Sequence, residues 1–337
     1  MLYPNRLQAA LLFDRKIHDL EAIMRDFVRI EGMRSSVSFH LSENNPGLFY
    51  RLFDATEELM VTFEYCDYPC DSGLFRPALS SAFVGIATPD IRERIARSQS
   101  HILIEVSHGV MAGVEENPEI AAMFEAIGRE RSGASQPQFE RRLAVLALIT
   151  RIAIDHAMPL AVHWTQSDTL LSGELFDRIA AGNDAPGPLH IQPFLFGPTA
   201  APGESARVGI RTFGARHWLG REIIVQPNVL PWAANLETIF AFLRVATMPN
   251  GYVIPDGDTF GPEDRSLSYR VLHHDAGANI GYASPEPADV PFYELVPLKH
   301  VEYGFVAPEH VPDSNAFDDR AFPIDIMPEG QDERMAL

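Results

Sequence analysis

Positive charge is scarce in this sequence. Of its 337 residues, 27 are Lys or Arg and 46 are Asp or Glu, so the formal net charge is −19. Such an excess of negative charge repels nucleic-acid backbones and anionic membrane surfaces, so we expect neither as a partner. It is compatible with a protein partner that has a basic surface, and equally with a role in solubility alone.

Cysteine is also rare, and the chain has no long apolar run. Its start, MLYPNRLQAALLFDRKIHDLE, lacks the basic region, sustained apolar stretch and small-residue cleavage site of a secretory leader. The most apolar segment, residues 143–154, is interrupted by Arg151 and is too short to span a bilayer. The two cysteines, Cys66 and Cys70, are expected to be reduced thiols. The sequence therefore favours a cytoplasmic protein.

The common catalytic and cofactor-binding motifs are missing as well. The sequence contains no G-x-S-x-G, G-x-x-x-x-G-K-[ST], G-x-G-x-x-G or H-E-x-x-H pattern. A structural zinc site needs four ligands, usually in two close pairs, and Cys66 and Cys70 have no suitable second pair. We expect no catalytic residue, no cofactor and no structural metal, although missing motifs alone do not exclude catalysis.

Hydrophobic periodicity predicts an α+β protein. Helices are expected near residues 18–30, 88–99, 138–156, 172–181 and 231–247, with strands between them. The order of strand, helix, several strands, helix and strand is similar to a ferredoxin-like unit, and the second half repeats it loosely. We expect two packed ferredoxin-like halves, with mostly antiparallel sheets and helices on one face.

Composition divides the chain into four parts. An N-terminal α+β half is expected at residues 1–110 and a C-terminal α+β half at residues 138–304. Residues 111–137 are richer in Gly, Glu and Pro and are expected to form a connector. Residues 305–337 form an acidic, proline-rich tail, a composition that does not favour packing into a core.

The segment YVIPDGDTFGPED places Asp256, Asp258 and Thr259 close together, as a metal or phosphate site would. The aspartyl phosphatase pattern D-x-D-x-T does not fit, because Thr259 directly follows Asp258. A calcium-binding EF loop that starts at Asp256 would place Phe260 and Leu267 where oxygen ligands are needed. Asp and Gly favour a turn after a strand, so we expect a turn in which Asp258 is stabilising. A ligand site is the alternative.

Four other residues are candidates for ligand binding. His163 and Trp164 end a predicted strand, where catalytic side chains do occur, although a lone histidine there is more often structural. His217 lies between two further predicted strands, and Glu222 lies near the start of the second. If these side chains converged with Asp256 and Asp258 in one pocket, an enzyme would be favoured.

Several ordered segments resemble an uncharacterised bacterial family, domain of unknown function 4261. They are the early LLF strand with its acidic helix, CDYPC, SQSHILIEVS, HWTQSDTLLSGELF, GIRTFGARHWLGREI and NGYVIPDGDTFG, which together cover roughly residues 7–275. An insertion around ARHW puts the alignment of Glu222 in doubt. The resemblance implies a bacterial source and a shared fold, and it brings no established activity.

Two functional hypotheses follow. The preferred one is a non-catalytic binding or accessory protein of the bacterial cytoplasm that engages a basic protein partner, such as a toxin effector or a component of a secretion apparatus. The alternative is a hydrolase or small-ligand-binding enzyme that uses Asp256, Asp258, Glu222 and the histidines near them. The position of these side chains in the fold discriminates between the two.

Overall fold

The computed structural model describes residues 3–4, 6–17, 19–34, 39–108, 135–182, 187–198, 207–248, 252–264, 266–279 and 289–307. These ranges contain eight helices, and fourteen strands in two seven-stranded sheets. The predicted α+β class and the mostly antiparallel sheets are confirmed. Within the described ranges, no helix has both the length and the apolar character needed to cross a membrane.

The first sheet is antiparallel throughout. Its strands are β1 (Arg6–Phe13), β2 (His40–Asn45), β3 (Phe49–Asp54), β4 (Leu59–Cys66), β5 (Ser100–His108), β6 (Ala161–Trp164) and β7 (Thr169–Leu171). They lie in the order β2-β3-β4-β5-β1-β6-β7. The accompanying helices are α1 (Leu20–Arg34), α2 (Arg76–Leu79), α3 (Ala82–Ala87), α4 (Ile91–Arg97), α5 (Gln136–His156), α6 (Gly173–Ala181) and α7 (Arg216–Leu219).

The interior strand β1 is buried on both faces. Its run of apolar residues continues without alternation, and Leu11 and Leu12, which point to opposite faces, are both fully buried. On the face of Leu11, helix α1 contacts the sheet through Phe27 and Phe63, and α5 packs beside α1. On the face of Leu12, the cover comes from side chains before and within α2–α4, namely Phe75, Ala78, Val84, Ile91 and Ile95. Helices were expected on one face, but an apolar strand with two apolar faces requires cover on both.

One side of helix α5 carries a stripe of fully buried side chains. Its members recur at intervals of three and four residues, and they are Phe139, Arg142, Leu146, Ile149 and Ala153. Pro137 stands in the first turn, and the main-chain N–H of Ser135 donates to the Gln138 side chain at 3.0 Å, which fixes the start of the helix. One charged residue, Arg142, therefore occupies a core position.

The second sheet is mixed but mostly antiparallel. Its strands are β8 (Gln192–Phe196), β9 (Val208–Phe213), β10 (Glu222–Asn228), β11 (Thr259–Phe260), β12 (Leu267–His274), β13 (Phe292–His300) and β14 (Phe305–Val306). The order is β11-β12-β13-β10-β9-β8, with β14 beside β13 and with β10 and β13 parallel. Helix α8 (Trp232–Thr247) contacts this sheet through Phe242, whose ring lies against Phe260 and Tyr293.

The chain divides into two compact units at different positions from those predicted. The first unit comprises residues 1–194 and 212–220, and the second comprises residues 195–211 and 221–337. Residues 161–171, assigned by sequence to the second half, contain β6 and β7 and extend the first sheet because β6 pairs with β1. Most of the predicted connector and the tail beyond residue 307 lie outside the described residues, whereas residues 305–306 form β14.

The interior position of β1 leads to a stability prediction. Leu11 pairs in register with Ile102 and Val162 and is fully buried, so Leu11→Ala is expected to lower the free energy of unfolding by about 2–5 kcal/mol. The control is Leu48→Ala, whose side chain is 47% exposed, with an expected change within about 0.5 kcal/mol. Urea unfolding measures both, and equal effects would contradict the assignment of β1 to the core.

Candidate functional site

The segment with the paired carboxylates is a tight turn in the second unit. The N–H of Asp258 donates to the carbonyl of Pro255 at 3.2 Å, and Gly257 has a φ of +83°. This is the pattern of a type II turn, which requires a positive φ at its third residue. The main chain then pairs with β12, because Gly257 and Asp258 exchange hydrogen bonds with Val271 at 2.7 and 2.8 Å.

The side chains of this turn have unequal roles. The Asp256 carboxylate accepts a hydrogen bond from the N–H of His273 at 2.8 Å and so ties the turn to β12. Asp258 was expected to stabilise the turn through its side chain. Among the described residues, the hydrogen bonds of Asp258 are made by its main chain. Asp256, Asp258 and Thr259 are all exposed to solvent, and Thr259 begins the edge strand β11.

Glu222 does not join these carboxylates. It begins β10, is 7% exposed, and its N–H donates to the carbonyl of Pro291 at 3.0 Å. Strands β12 and β13 lie between β10 and β11. Three strand spacings put the Glu222 main chain roughly 14 Å from the turn that holds Asp256. Glu222 therefore lies outside the group formed by Asp256, Asp258 and Thr259.

His163 lies in the first unit and forms a local pair. Its Nε2 is 2.7 Å from Asp168 Oδ1, and its ring contacts Phe75 edge-on at 5.3 Å. Asp168 stands at the end of the turn between β6 and β7 with a φ of 52°, a conformation that Asp adopts more readily than most residues. The imidazole is 9% exposed. The pair therefore joins a turn to the strand that precedes it.

Trp164 points to the other face of β6 and enters a second group of polar side chains. We call this group the His–Trp cluster and define it as Trp164, Gln166, His190, His217 and Trp218, all at most 7% exposed. The Gln166 amide lies 3.0 Å from His217 Nδ1 and donates to the carbonyl of His190 at 3.2 Å. The His190 ring lies 5.5 Å from Trp218 and 6.4 Å from Trp164.

Burial keeps both histidines of the His–Trp cluster neutral at neutral pH. It lowers the pKa of His190 to about 4, and burial with a smaller effect of Arg216 lowers the pKa of His217 to about 4. A neutral His217 can accept the hydrogen bond from Gln166 at Nδ1, which agrees with the geometry. The cluster thus does not supply a cationic acid at neutral pH, and none of its members carries a hydroxyl, thiol or carboxylate group.

The two thiols do not supply a nucleophile either. Burial is the main cause that raises the pKa of Cys66 and the pKa of Cys70, so both are protonated at neutral pH. Both are free thiols. In the part of the chain that the structure describes, no group of three or more His, Cys, Asp or Glu side chains is placed to hold a metal ion.

The seven candidates from the sequence are thus divided. His163, Trp164 and His217 belong to the first unit, while Glu222, Asp256, Asp258 and Thr259 belong to the second. Asp256, Asp258 and Thr259 lie together in and beside one turn, and Trp164 and His217 both belong to the His–Trp cluster. Sequence reasoning missed Asp168, Gln166 and His190, because polar residues in turns are common. Only the fold shows that Asp168 pairs with His163, and that Gln166 joins His217 to the carbonyl of His190.

Comparisons with known proteins do not identify a family for this chain. No protein-family model matches the chain, no curated protein matches it, and no solved structure matches it. The resemblance to domain of unknown function 4261 therefore stays a prediction.

The unequal roles of the two aspartates can be measured. Asp256→Ala removes the acceptor for the N–H of His273 and is expected to lower the free energy of unfolding by about 1 kcal/mol. Asp258→Ala keeps the main-chain hydrogen bonds and is expected to change it by less than about 0.5 kcal/mol. Urea denaturation of the two variants is the measurement, and a larger loss in Asp258→Ala would contradict the geometry.

The His–Trp cluster predicts acid sensitivity. An ordinary histidine has a pKa of 6.5, and the folded protein holds that of His217 at about 4. Between these values the unfolded chain binds more protons than the folded protein, so the free energy of unfolding falls as pH falls from 6.5 towards 4. The contribution of His217 to this loss is expected to reach roughly 3 kcal/mol.

The matched variants are His217→Asn, which keeps an acceptor for Gln166, and His40→Asn at an exposed position. Denaturant unfolding at a series of pH values is expected to show a weaker pH dependence in His217→Asn and an unchanged one in His40→Asn. An identical pH dependence in wild type and His217→Asn would show that His217 is not held neutral.

Proposed function

We propose that this chain is a non-catalytic binding protein that engages a basic protein partner through the acidic turn, defined as residues 255–264. The supporting observation is the exposure of four carboxylates in this short segment, namely Asp256, Asp258, Glu263 and Asp264. Among the described residues, none of the four takes part in an ion pair at 4.0 Å or less. Asp256 and Asp264 each accept a main-chain hydrogen bond, from His273 and Ser266. Asp258 and Glu263 are therefore the two carboxylates that we propose attract a cationic surface.

Groups beside the acidic turn suit a protein partner. Tyr252 and Val253, just before the turn, are 41% and 59% exposed and offer apolar contact area. Thr259 and Phe260 form β11, the edge strand of the second sheet, where main-chain groups can pair with an added strand. Charge, apolar area and a strand edge in one segment support binding of an extended basic segment.

The competing hypothesis, a hydrolase or small-ligand-binding enzyme, has less support. It needs Asp256, Asp258 and Glu222 to act together, and two strands separate Glu222 from the turn. The carboxylate of Asp256 is already committed to the N–H of His273. His163 is paired with Asp168 and His217 with Gln166, and neither pair includes one of the candidate carboxylates.

The cellular compartment, the source and the kind of partner are part of the same proposal. The scarcity of cysteine, with two in 337 residues, supports a cytoplasmic protein. The resemblance to domain of unknown function 4261 supports a bacterial source. A toxin effector or a component of a secretion apparatus is the kind of basic partner that we propose.

The experiment compares two variants with the same change in net charge. Asp258→Asn with Glu263→Gln removes two charges from the acidic turn and keeps its main-chain hydrogen bonds. Glu93→Gln with Asp155→Asn removes two exposed charges from the first unit. Each protein is immobilised, exposed to lysate of the source organism, and its bound proteins are identified by mass spectrometry. The affinity of any captured basic protein is then measured at low and high salt.

The turn variant is expected to bind the captured protein about fivefold more weakly than wild type, as loss of two partly exposed ion pairs implies. The control pair is expected to retain wild-type affinity at low salt, and wild-type binding is expected to weaken as salt rises. Equal affinity in both double variants, or binding that does not change with salt, would contradict the proposal.

A further inference from the structure

Arg142 is an uncompensated charge in the interior of the first unit. Its side chain has no exposed surface, and none of its three guanidinium nitrogens has a hydrogen-bond partner among the described residues. It occupies the buried stripe of α5 between Phe139 and Leu146, where the other members are apolar or small. Burial lowers the pKa of Arg142 to about 10, so the group is still charged at neutral pH.

The neighbouring arginine shows how this part of the fold treats an ordinary structural cation. Arg141 donates to Glu57 at 2.7 Å and to Glu31, and its side chain is 26% exposed. The guanidinium of Arg142 has no hydrogen-bond partner among the described residues, and its side chain has no exposed surface. Since a buried cation without a counter-charge is strongly unfavourable, and an apolar side chain of similar length would avoid the penalty, folding alone does not account for Arg142.

A second donor group lies close to Arg142. His108 ends β5, and its pKa is lowered by burial first and by the charge of Arg142 second. Its Nδ1 is buried without a hydrogen-bond partner within the described ranges, while Nε2 faces Glu58 at 3.8 Å. Two nitrogen-bearing side chains of neighbouring elements, α5 and β5, thus have unused hydrogen-bonding capacity next to one positive charge.

We propose that Arg142 and His108 form a binding site for a small anion that carries a carboxylate or phosphate group. The planar guanidinium donates paired hydrogen bonds that match the oxygens of these two groups. His108 adds a third hydrogen bond once Nδ1 carries a proton, and the charge of the bound anion favours that protonation. A bound anion supplies the missing counter-charge and satisfies the unpartnered donors. The site is closed in this structure, so the anion enters during local opening and binding is slow.

Inorganic phosphate is the probe, and thermal unfolding after long incubation is the first measurement. Phosphate also stabilises proteins without binding, so the proposal concerns the difference between wild type and Arg142→Met. Arg142→Met fills the same space without charge and is expected to be at least as stable as wild type in phosphate-free buffer. Wild type is expected to show an additional, saturable rise in Tm of roughly 5 °C at about 100 times its Kd. Arg142→Lys is expected to show a smaller rise.

The second measurement uses wild type alone and stays informative if Arg142→Met does not fold. An anion beside Arg142 cancels part of its field, so saturating phosphate is expected to raise the pKa of His108, followed by NMR of its ring protons. Chloride at equal ionic strength is the control. An equal rise of Tm in wild type and Arg142→Met, or an unchanged pKa of His108, would overturn the anion site.

Discussion

The burial of β1 on both faces is the constraint on which the first unit depends. Leu11 and Leu12 are both excluded from water, so the sheet needs a layer of helices on each side. Helices α1 and α5 supply one layer, and α2–α4 with Phe75 supply the other. The same strand takes β6 as its second neighbour, which brings residues from beyond position 160 into the first sheet. Because β6 pairs with β1, the first compact unit extends past residue 160.

Local periodicity predicts the helices and strands well because each is set by neighbouring residues. Long-range pairing is a different matter: the sequence of β6 and β7 suits a strand in either half, and nothing local specifies β1 as their partner. The predicted boundary at residue 138 therefore differs from the observed units. For the candidate site, the turn at Asp256 follows from its Asp and Gly residues, whereas the partners of His163 and His217 depend on the fold. Arg142 falls at helical spacing from Phe139 and Leu146, a signal present in the sequence and not used.

Hydrogen bonding separates the polar groups of the described residues into those used internally and those that face solvent. His163, His217 and Asp256 each have a partner within their own unit. The carboxylates of Asp258 and Glu263 face solvent. This distribution is typical of a surface that attracts charge rather than of a site that transfers protons, because general acid–base catalysis needs titratable groups held together around a substrate. It also sets Arg142 apart, since that side chain is both buried and unused.

The most direct test of a binding role for the acidic turn is amide hydrogen exchange, measured with and without the captured basic protein. Contact at the turn predicts slower exchange for the amides of residues 256–264, which include β11, with little change in β1 or α5. If exchange at the turn is unchanged while protection rises elsewhere on the chain, the acidic turn is not the binding surface and the account of its function is contradicted.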